Sequence, residues 1–351
     1  MIKNKKEFKQ IVAQILRTDE NTLTEIPMHI SDSMTGDIED GFDGSIFCFC
    51  NINTGKKYVA KIKGSSYVKN VCDVMNTKNS SEFRRFFEKG APAFNIIDSF
   101  VREKNIYEGV TGFTSDFFPQ YYGSWYSDDT CVFVIEYLDI CQDNLDFSAI
   151  ANFLAGLHNQ FLGMDALMDS FRVSKTHADD FREMRKIDRI IFDEIAKGYI
   201  DFPDKALKAI REFYEEPDII YKQLTQNERT LCHGDFSVKN ISFTANKLIV
   251  YDWELATFNH PEFDLVTFFV LFPKLINSTF IDLFTDLYLK QCEKRPRLHT
   301  NMEKFKDLMA FNTKLYMVTR FHEMMIICRS VSMPYMKVAI KNWLTLFNHY
   351  C

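Results

Sequence analysis

Hydrophobic and polar positions change their period along this chain. Near the N-terminus Phe8, Ile11, Val12 and Ile15 recur at helical spacing, which predicts a short helix over Lys5 to Leu16. A stretch rich in Asp, Ser and Gly, from Ser31 to Ser45, predicts a loop. Two strand-like runs follow, Ile46 to Cys50 and Tyr58 to Ile62. Asn53-Thr54-Gly55 between them supplies the turn of a hairpin. Ile96, Ile97, Phe100, Glu103 and Tyr107 return to helical spacing and predict a helix from about Ala93 to Val110. Cys131 to Ile135 reads as a buried strand. From there the pattern turns helical, starting with an apolar face of Ile150, Phe153, Leu154, Leu157 and Phe161, for which Asp146 or Ser148 is the cap. One exception interrupts the helical half. Ile241-Ser242-Phe243 and Leu248 to Tyr251 form a hairpin-like pair turned by Ala245-Asn246-Lys247.

This order, strands first and helices later, predicts an α+β protein of two lobes. A length of 351 residues is too much for one small core and suits that division. Apolar residues make up 46% and charged residues 26%, so a folded chain is expected. The 34 phenylalanines read as core filling. Net charge is −6 and no strongly basic stretch occurs, so no nucleic-acid partner is expected. The basic N-terminus lacks the apolar run and cleavage site of a signal peptide. The longest apolar run, Leu265 to Phe272, ends at Pro273 and is too short to span a bilayer, so no membrane association is expected. Nine cysteines show no CxxC pair or zinc-like set, and Cys48, Cys50 and Cys328 sit among apolar neighbours. Buried reduced thiols and a cytoplasmic protein are the expectation.

The informative segment is LCHGDFSVKNISFTANKLIVYDWELA, Leu231 to Ala256. Phosphoryl transfer needs a carboxylate to orient the acceptor hydroxyl and hard ligands for the metal that neutralises the phosphates. Asp235 and Asn240 stand in a loop entering a strand, and Asp252 ends the strand paired with it. A short hairpin can bring all three to one end. HxDxxxxN alone could be a chance turn. Followed by a hairpin and an apolar strand ending in Asp, it is far more specific.

These residues resemble the aminoglycoside phosphotransferase and choline/ethanolamine kinase superfamily, whose fold is a variant of the protein-kinase fold. His233, Asp235 and Asn240 match its catalytic loop and Asp252 its metal-binding Asp. The stretch YDWELATFNHPEFDLVTFF is similar to the choline/ethanolamine kinase form, with Glu254 two residues after the metal Asp and Asp264 before an apolar helix. The ecdysteroid-kinase-like branch is also similar. The strong match runs from Leu231 to Phe269, with weaker matches beyond it. The resemblance implies a bilobal, protein-kinase-like fold, with a small β-rich, nucleotide-binding N-lobe over residues 1–138. A larger helical C-lobe over 139–351 would carry the catalytic loop and the acceptor-binding helices. It also implies an ATP- and Mg²⁺-dependent phosphotransferase, with ATP as co-substrate, Asp235 as catalytic base, and Asn240 and Asp252 as Mg²⁺ ligands. Asp264 would brace the loop.

The N-terminal half offers the remaining parts. Lys61, in YVAKIKG, lies where choline kinases have a basic residue, and a Lys there reaches the α- and β-phosphates. Lys63 has the same side-chain parity and is its rival. Glu103 is the natural ion-pair partner, since the resembling families have a Glu on this helix with Tyr four residues later, as Tyr107 is here. Glu108 and Glu82 are rivals. Gly44 and Ser45, in GFDGS before the first hairpin strand, suit backbone contact with phosphate, although such a GxxGS also makes ordinary turns. Glu136 and Leu138 fall where an interlobe hinge would bind adenine. His158 and His233 read as structural groups.

Three functions compete. A small-molecule kinase leads. A protein kinase is disfavoured because the loop lacks the HRD Arg and no DFG-to-APE segment is recognisable. A catalytically inactive pseudokinase, serving as a nucleotide- or partner-binding module, is disfavoured by the intact Asp235, Asn240 and Asp252. The acceptor is expected to bear a hydroxyl and to be cationic, from the resemblance and from Glu254, Phe321, Tyr335, Trp343, Phe347 and Tyr350, because aromatic faces and carboxylates favour ammonium groups. The same aromatics are spaced as core residues. Arg320, Arg329, Lys337 and Lys341 would instead suit an anionic or neutral acceptor.

Overall fold

A computed structural model of the chain describes residues 2, 4–27, 46–64, 99–110, 117–127, 130–138, 145–171, 189, 202–243, 247–298, 301–321 and 335–351. The predicted Ser31–Ser45 loop, with Gly44 and Ser45, lies outside them. So do Glu82, Arg329, the start of the helix expected from Ala93, and residues 245 and 246 of the second hairpin turn.

Helix α1 (Lys5–Leu16) has the expected limits. Asn4 caps it by accepting from the Glu7 amide at 3.0 Å, and Arg17 ends it in the left-handed region. Strands β1 (Leu23–Ile26), β2 (Ile46–Asn51) and β3 (Lys57–Gly64) follow. After helix α2 (Ser99–Val110) come β4 (Tyr121–Ser127) and β5 (Thr130–Glu136). The five strands form one antiparallel sheet in the order β1-β2-β3-β5-β4.

The two-residue period of β3 sorts its side chains between two cores. Tyr58, Ala60 and Ile62 pack with Phe8, Ile11 and Val12 of α1. Val59 faces the other way, into the main core with Ile106, Tyr107 and Val110 of α2. Lys61 and Lys63 share the parity of Val59 and are therefore delivered to the α2 side. The sheet thus carries two lysines into a buried interface, at 4% and 5% exposure.

The helical part begins with α3 (Phe147–Phe161), whose predicted apolar face is wholly buried and whose cap is Asp146, accepting from the Ala149 amide at 2.9 Å. Helices α4 (Asp204–Glu215) and α5 (Pro217–Gln226) lead to the short strand β6 (Thr230–Cys232). The hairpin β7 (Ile241–Phe243) and β8 (Leu248–Val250) pairs Ile241 with Val250, as the pattern indicated. Strand β9 (Thr257–Asn259) returns antiparallel to β6, so the catalytic-loop segment begins and ends on one two-stranded ladder. Helices α6 (Glu262–Val270), α7 (Ser278–Cys292), α8 (Met302–Tyr316) and α9 (Tyr335–Tyr350) complete the chain. Every residue of α6 is buried, which is why its sequence shows no amphipathic period.

The α+β class is as expected. Cys48, Cys50, Cys131, Cys232, Cys292 and Cys351 are free thiols. No helix among the described residues is long and apolar enough to cross a membrane.

Candidate active site

The segment after β6 is shaped by a close approach of backbone to backbone. Gly234 has φ +75°, and a Cβ there would lie 2.1 Å from the Leu255 carbonyl oxygen. Only glycine fits this contact. The turn is anchored from behind by Asp264, fully buried on α6. Its Oδ2 accepts from the His233 amide at 2.8 Å and its Oδ1 from the Gly234 amide at 3.1 Å. Carboxylate bonds to backbone amides are among the stronger hydrogen bonds. The bracing expected of Asp264 corresponds to these two contacts.

His233 links the loop to the strand beside it. Its Nε2 donates to the Tyr251 carbonyl at 2.9 Å, which leaves Nδ1 to accept from the Asp235 amide at 3.3 Å. His158 is buried, with Nδ1 3.0 Å from the Tyr288 hydroxyl and Nε2 3.4 Å from Asp264 Oδ2. Both histidines are thus engaged within the scaffold.

Asp235 and Asn240 meet across a 3-10 turn at Val238–Asn240. The Asn240 amide donates to the Asp235 carbonyl at 2.9 Å and to its Oδ2 at 3.1 Å. Asn240 in turn accepts from the Tyr251 amide through its backbone carbonyl at 3.0 Å. Asp252 follows directly, in the left-handed region at φ 68°. That conformation costs a non-glycine residue about 1–3 kcal/mol and persists only where surrounding contacts hold it.

What holds Asp252 there comes from the other part of the chain. The Lys61 ammonium lies 2.7 Å from Asp252 Oδ1 and 2.8 Å from Glu103 Oε1. The Tyr107 hydroxyl donates to Glu103 Oε1 at 3.0 Å and accepts from the Asp252 amide at 3.2 Å. Lys63 bonds Glu103 Oε2 at 3.2 Å and also bonds the Glu254 carboxylate. Arg102, buried one position before Glu103, donates to the Glu254 carbonyl at 2.6 Å. Burial alone would neutralise these groups, but their pairing prevails. Burial pushes the Asp252 carboxyl up, yet the ammonium groups of Lys61 and Lys63 hold it well below the usual range. Burial depresses the two lysines, and the facing carboxylates more than reverse it, raising both.

Of the residues picked out in the sequence, the structure therefore brings Lys61, Glu103, Asp252, Asn240 and Asp235 into one bonded chain. Lys63 joins it rather than standing aside as a rival, because Glu103 has two oxygens and takes one lysine on each. Glu108 is excluded from the cluster by position and pairs with Lys104 on the helix surface at 2.6 Å. Glu136 ends β5, its carboxylate accepting from the Gln120 amide at 3.2 Å, and Leu138 lies half-buried two residues on. Arg102 was missed as a site residue, and the pairing of Lys63 with Glu254, each named separately in the sequence, was not foreseen. A buried Arg on a helix has no signature in one sequence, since its partner is a backbone carbonyl 152 residues away.

A family model described as the phosphotransferase enzyme family matches residues 142–300. Among solved structures, the chain is similar to the choline kinase of Cryptosporidium parvum Iowa II, with a TM-score of 0.53 at 12% identity over 99% of this chain and 95% of that one. It is also similar to amicoumacin kinase hAmiN, solved with AMP-PNP, Ca²⁺ and Ami, with a TM-score of 0.50 at 9% identity over 99% and 94%. These likenesses concern the fold. A curated relative, acyl-CoA dehydrogenase family member 11 of Rattus norvegicus, is 33% identical over 103 residues, which is 25% of this chain and 13% of that protein. The chain thus aligns with only about an eighth of that relative's length. The phosphotransferase-family match thus spans residues 142–300, and the fold around it is similar to that of the small-molecule kinases named above.

Proposed function

We propose that the protein transfers the γ-phosphate of ATP, with Mg²⁺, to a hydroxyl of a small molecule. One observation carries this reading. Lys61 and Glu103, from the sheet and its helix, meet Asp252, whose chain neighbour Tyr251 bonds the Asn240 carbonyl, while the Asn240 side chain bonds Asp235.

In this reading Asp235 accepts the proton of the attacking hydroxyl, and the Asn240 amide orients its carboxylate. Asn240 and Asp252 would hold Mg²⁺, which when bound neutralises phosphate charge during transfer. The donor set fits that ion. Both residues offer hard oxygens, and Asp252 is kept ionised and already carries a cation, the Lys61 ammonium, on Oδ1. Lys61, steadied by Glu103, would serve the α- and β-phosphates. Gly44 and Ser45 would cover the phosphates from the loop before β2, and Glu136 and Leu138 would offer backbone to adenine at the junction of an N-lobe, 1–138, with a C-lobe, 139–351.

The acceptor is a hydroxyl-bearing small molecule. Preference for a cation rests chiefly on the resemblance, because Glu254 is bonded by Lys63, and Trp343 and Phe347 are fully buried core residues. The test is ADP release with Mg·ATP across amino alcohols, aminoglycosides, neutral sugars and nucleosides. Acceptor-dependent, Mg²⁺-dependent turnover with one of these classes is expected. Nucleotide binding without turnover by any acceptor would replace the reading with a binding module.

A further inference from the structure

We infer that Lys63 is a positioning residue, a second lysine that fixes Glu254 and through it sets both Asp252 and the catalytic loop. This rests on the kinase reading above for its functional meaning, and on geometry for its existence.

Lys63 sits two residues beyond Lys61 on β3 and reaches the same face. It bonds Glu103 and Glu254. Glu254 is held a second time at its backbone, where Arg102 donates to its carbonyl at 2.6 Å. One residue is thus gripped at side chain and main chain by β3 and α2 together. The gripped residue lies between two sensitive points. Two positions before it, Asp252 occupies the left-handed region. One position after it, the Leu255 carbonyl abuts Gly234, the residue next to Asp235. A shift of Glu254 by a few tenths of an ångström would be passed to both.

The pair also separates the duties of two nearby carboxylates. Without Lys63, Glu254 would stand as an unpaired charge two residues from Asp252, able to compete for a cation meant for it. With Lys63, Glu254 is occupied and Asp252 alone of the two is left to exchange its ammonium partner. Lys61 makes that exchange possible because Glu103 keeps it in place from the other side. Glu103 is therefore shared for a reason. Oε1 bonds Lys61, the lysine that faces Asp252, and Oε2 bonds Lys63, the lysine that faces Glu254.

The test is a double-mutant cycle of Lys63→Met and Glu254→Gln, read first by binding of Mn²⁺ with a non-hydrolysable ATP analogue and by thermal midpoint, then by turnover. Lys63→Met is expected to weaken Mn²⁺·nucleotide binding about 10- to 100-fold, the usual range for loss of a group that orients a metal ligand. Glu254→Gln added to it should recover most of that loss and most of the lost thermal midpoint, because it removes the uncompensated charge. Lys61→Met should not be recovered by Glu254→Gln. Equal losses in Lys63→Met with or without Glu254→Gln, or unchanged binding in a folded Lys63→Met protein, would overturn the inference. Since binding and midpoint are read without an acceptor, the cycle also tests the pair if no acceptor supports turnover. In that event the kinase reading fails while the role of Lys63 is judged on its own.

Discussion

The two sides of the catalytic loop bury ionisable groups with opposite results. On the side facing β3 and α2, Lys61, Lys63, Glu103, Asp252 and Glu254 are cross-paired, and the pairing holds Lys61, Lys63 and Asp252 charged. On the side facing α6, burial prevails. Glu262, 7% exposed and with Oε2 lacking a hydrogen-bond partner among the described residues, is pushed up to about 7. His260, fully buried, is pushed down to about 4, also by burial. Lys61, Lys63 and Glu103 are as buried as Glu262 and His260, so burial alone does not decide ionisation. A partner of opposite charge within bonding distance does. In the proposed reading the charged side exchanges partners with metal and phosphate, while Glu262 and His260 belong to the scaffold.

The largest effect that would test this contrast is Asp235→Asn. It should lower kcat by about 10²–10⁴-fold, the usual range for loss of a general base, with an unchanged thermal midpoint. Near-normal turnover by the folded variant would remove Asp235 from its proposed role. Asp264→Ala should do the reverse of sparing stability. It removes two carboxylate hydrogen bonds to loop amides, each worth about 1.5–3 kcal/mol, so urea unfolding should show a loss of about 3–6 kcal/mol. A stable but inactive Asp264→Ala protein would blur the division drawn above.

The neutral side can be sharpened by pH. Glu262 has a folded pKa of about 7 against an ordinary 4.5, so the folded state binds more protons between these values. Its stabilisation is full below about 4.5 and is lost as pH rises to about 7. His260 has a folded pKa of about 4 against 6.5, so its contribution is lost as pH falls through that window. The two slopes oppose each other over most of the acid range. Glu262→Gln should leave the His260 slope uncovered, and its unfolding free energy should gain on the wild type by about 3 kcal/mol from pH 4.5 to 7. Parallel pH profiles for the two proteins would show that Glu262 is already paired. The smallest effect is expected from Tyr107→Phe. Loss of the hydroxyl between Glu103 and the Asp252 amide should cost about 1 kcal/mol in urea unfolding and weaken Mn²⁺·nucleotide binding only modestly.

How much of this was legible in the sequence follows from the range of each interaction. Helix α1, the β2–β3 and β7–β8 hairpins, β5 and the Asp146 cap are fixed by neighbours in sequence, and their patterns located them. Strands β1, β4, β6 and β9 carried no readable pattern. Three of these four have only three or four residues, and Tyr121–Ser127 is partly exposed throughout with Gly123 in it. Asp235, Asn240 and Asp252 stood out because one hairpin holds them. The joint use of both lysines did not, because two residues of equal parity on one strand look like alternatives until a bidentate carboxylate is placed between them.

The lysines also bear on how the molecule comes together. Lys61 meets Asp252, and Lys63 meets Glu254, across 191 residues in each case. Closing so long a loop carries a large entropic cost that nearby contacts do not share, so such contacts form late. Before they form, the two ammonium groups of β3 share one carboxylate, Glu103, and the β8 end holds two carboxylates still without these lysines. Neither half can complete its own charge balance. In the proposed reading, recovery of nucleotide binding is therefore a stricter measure of refolding than recovery of helix, since it depends on these long-range contacts.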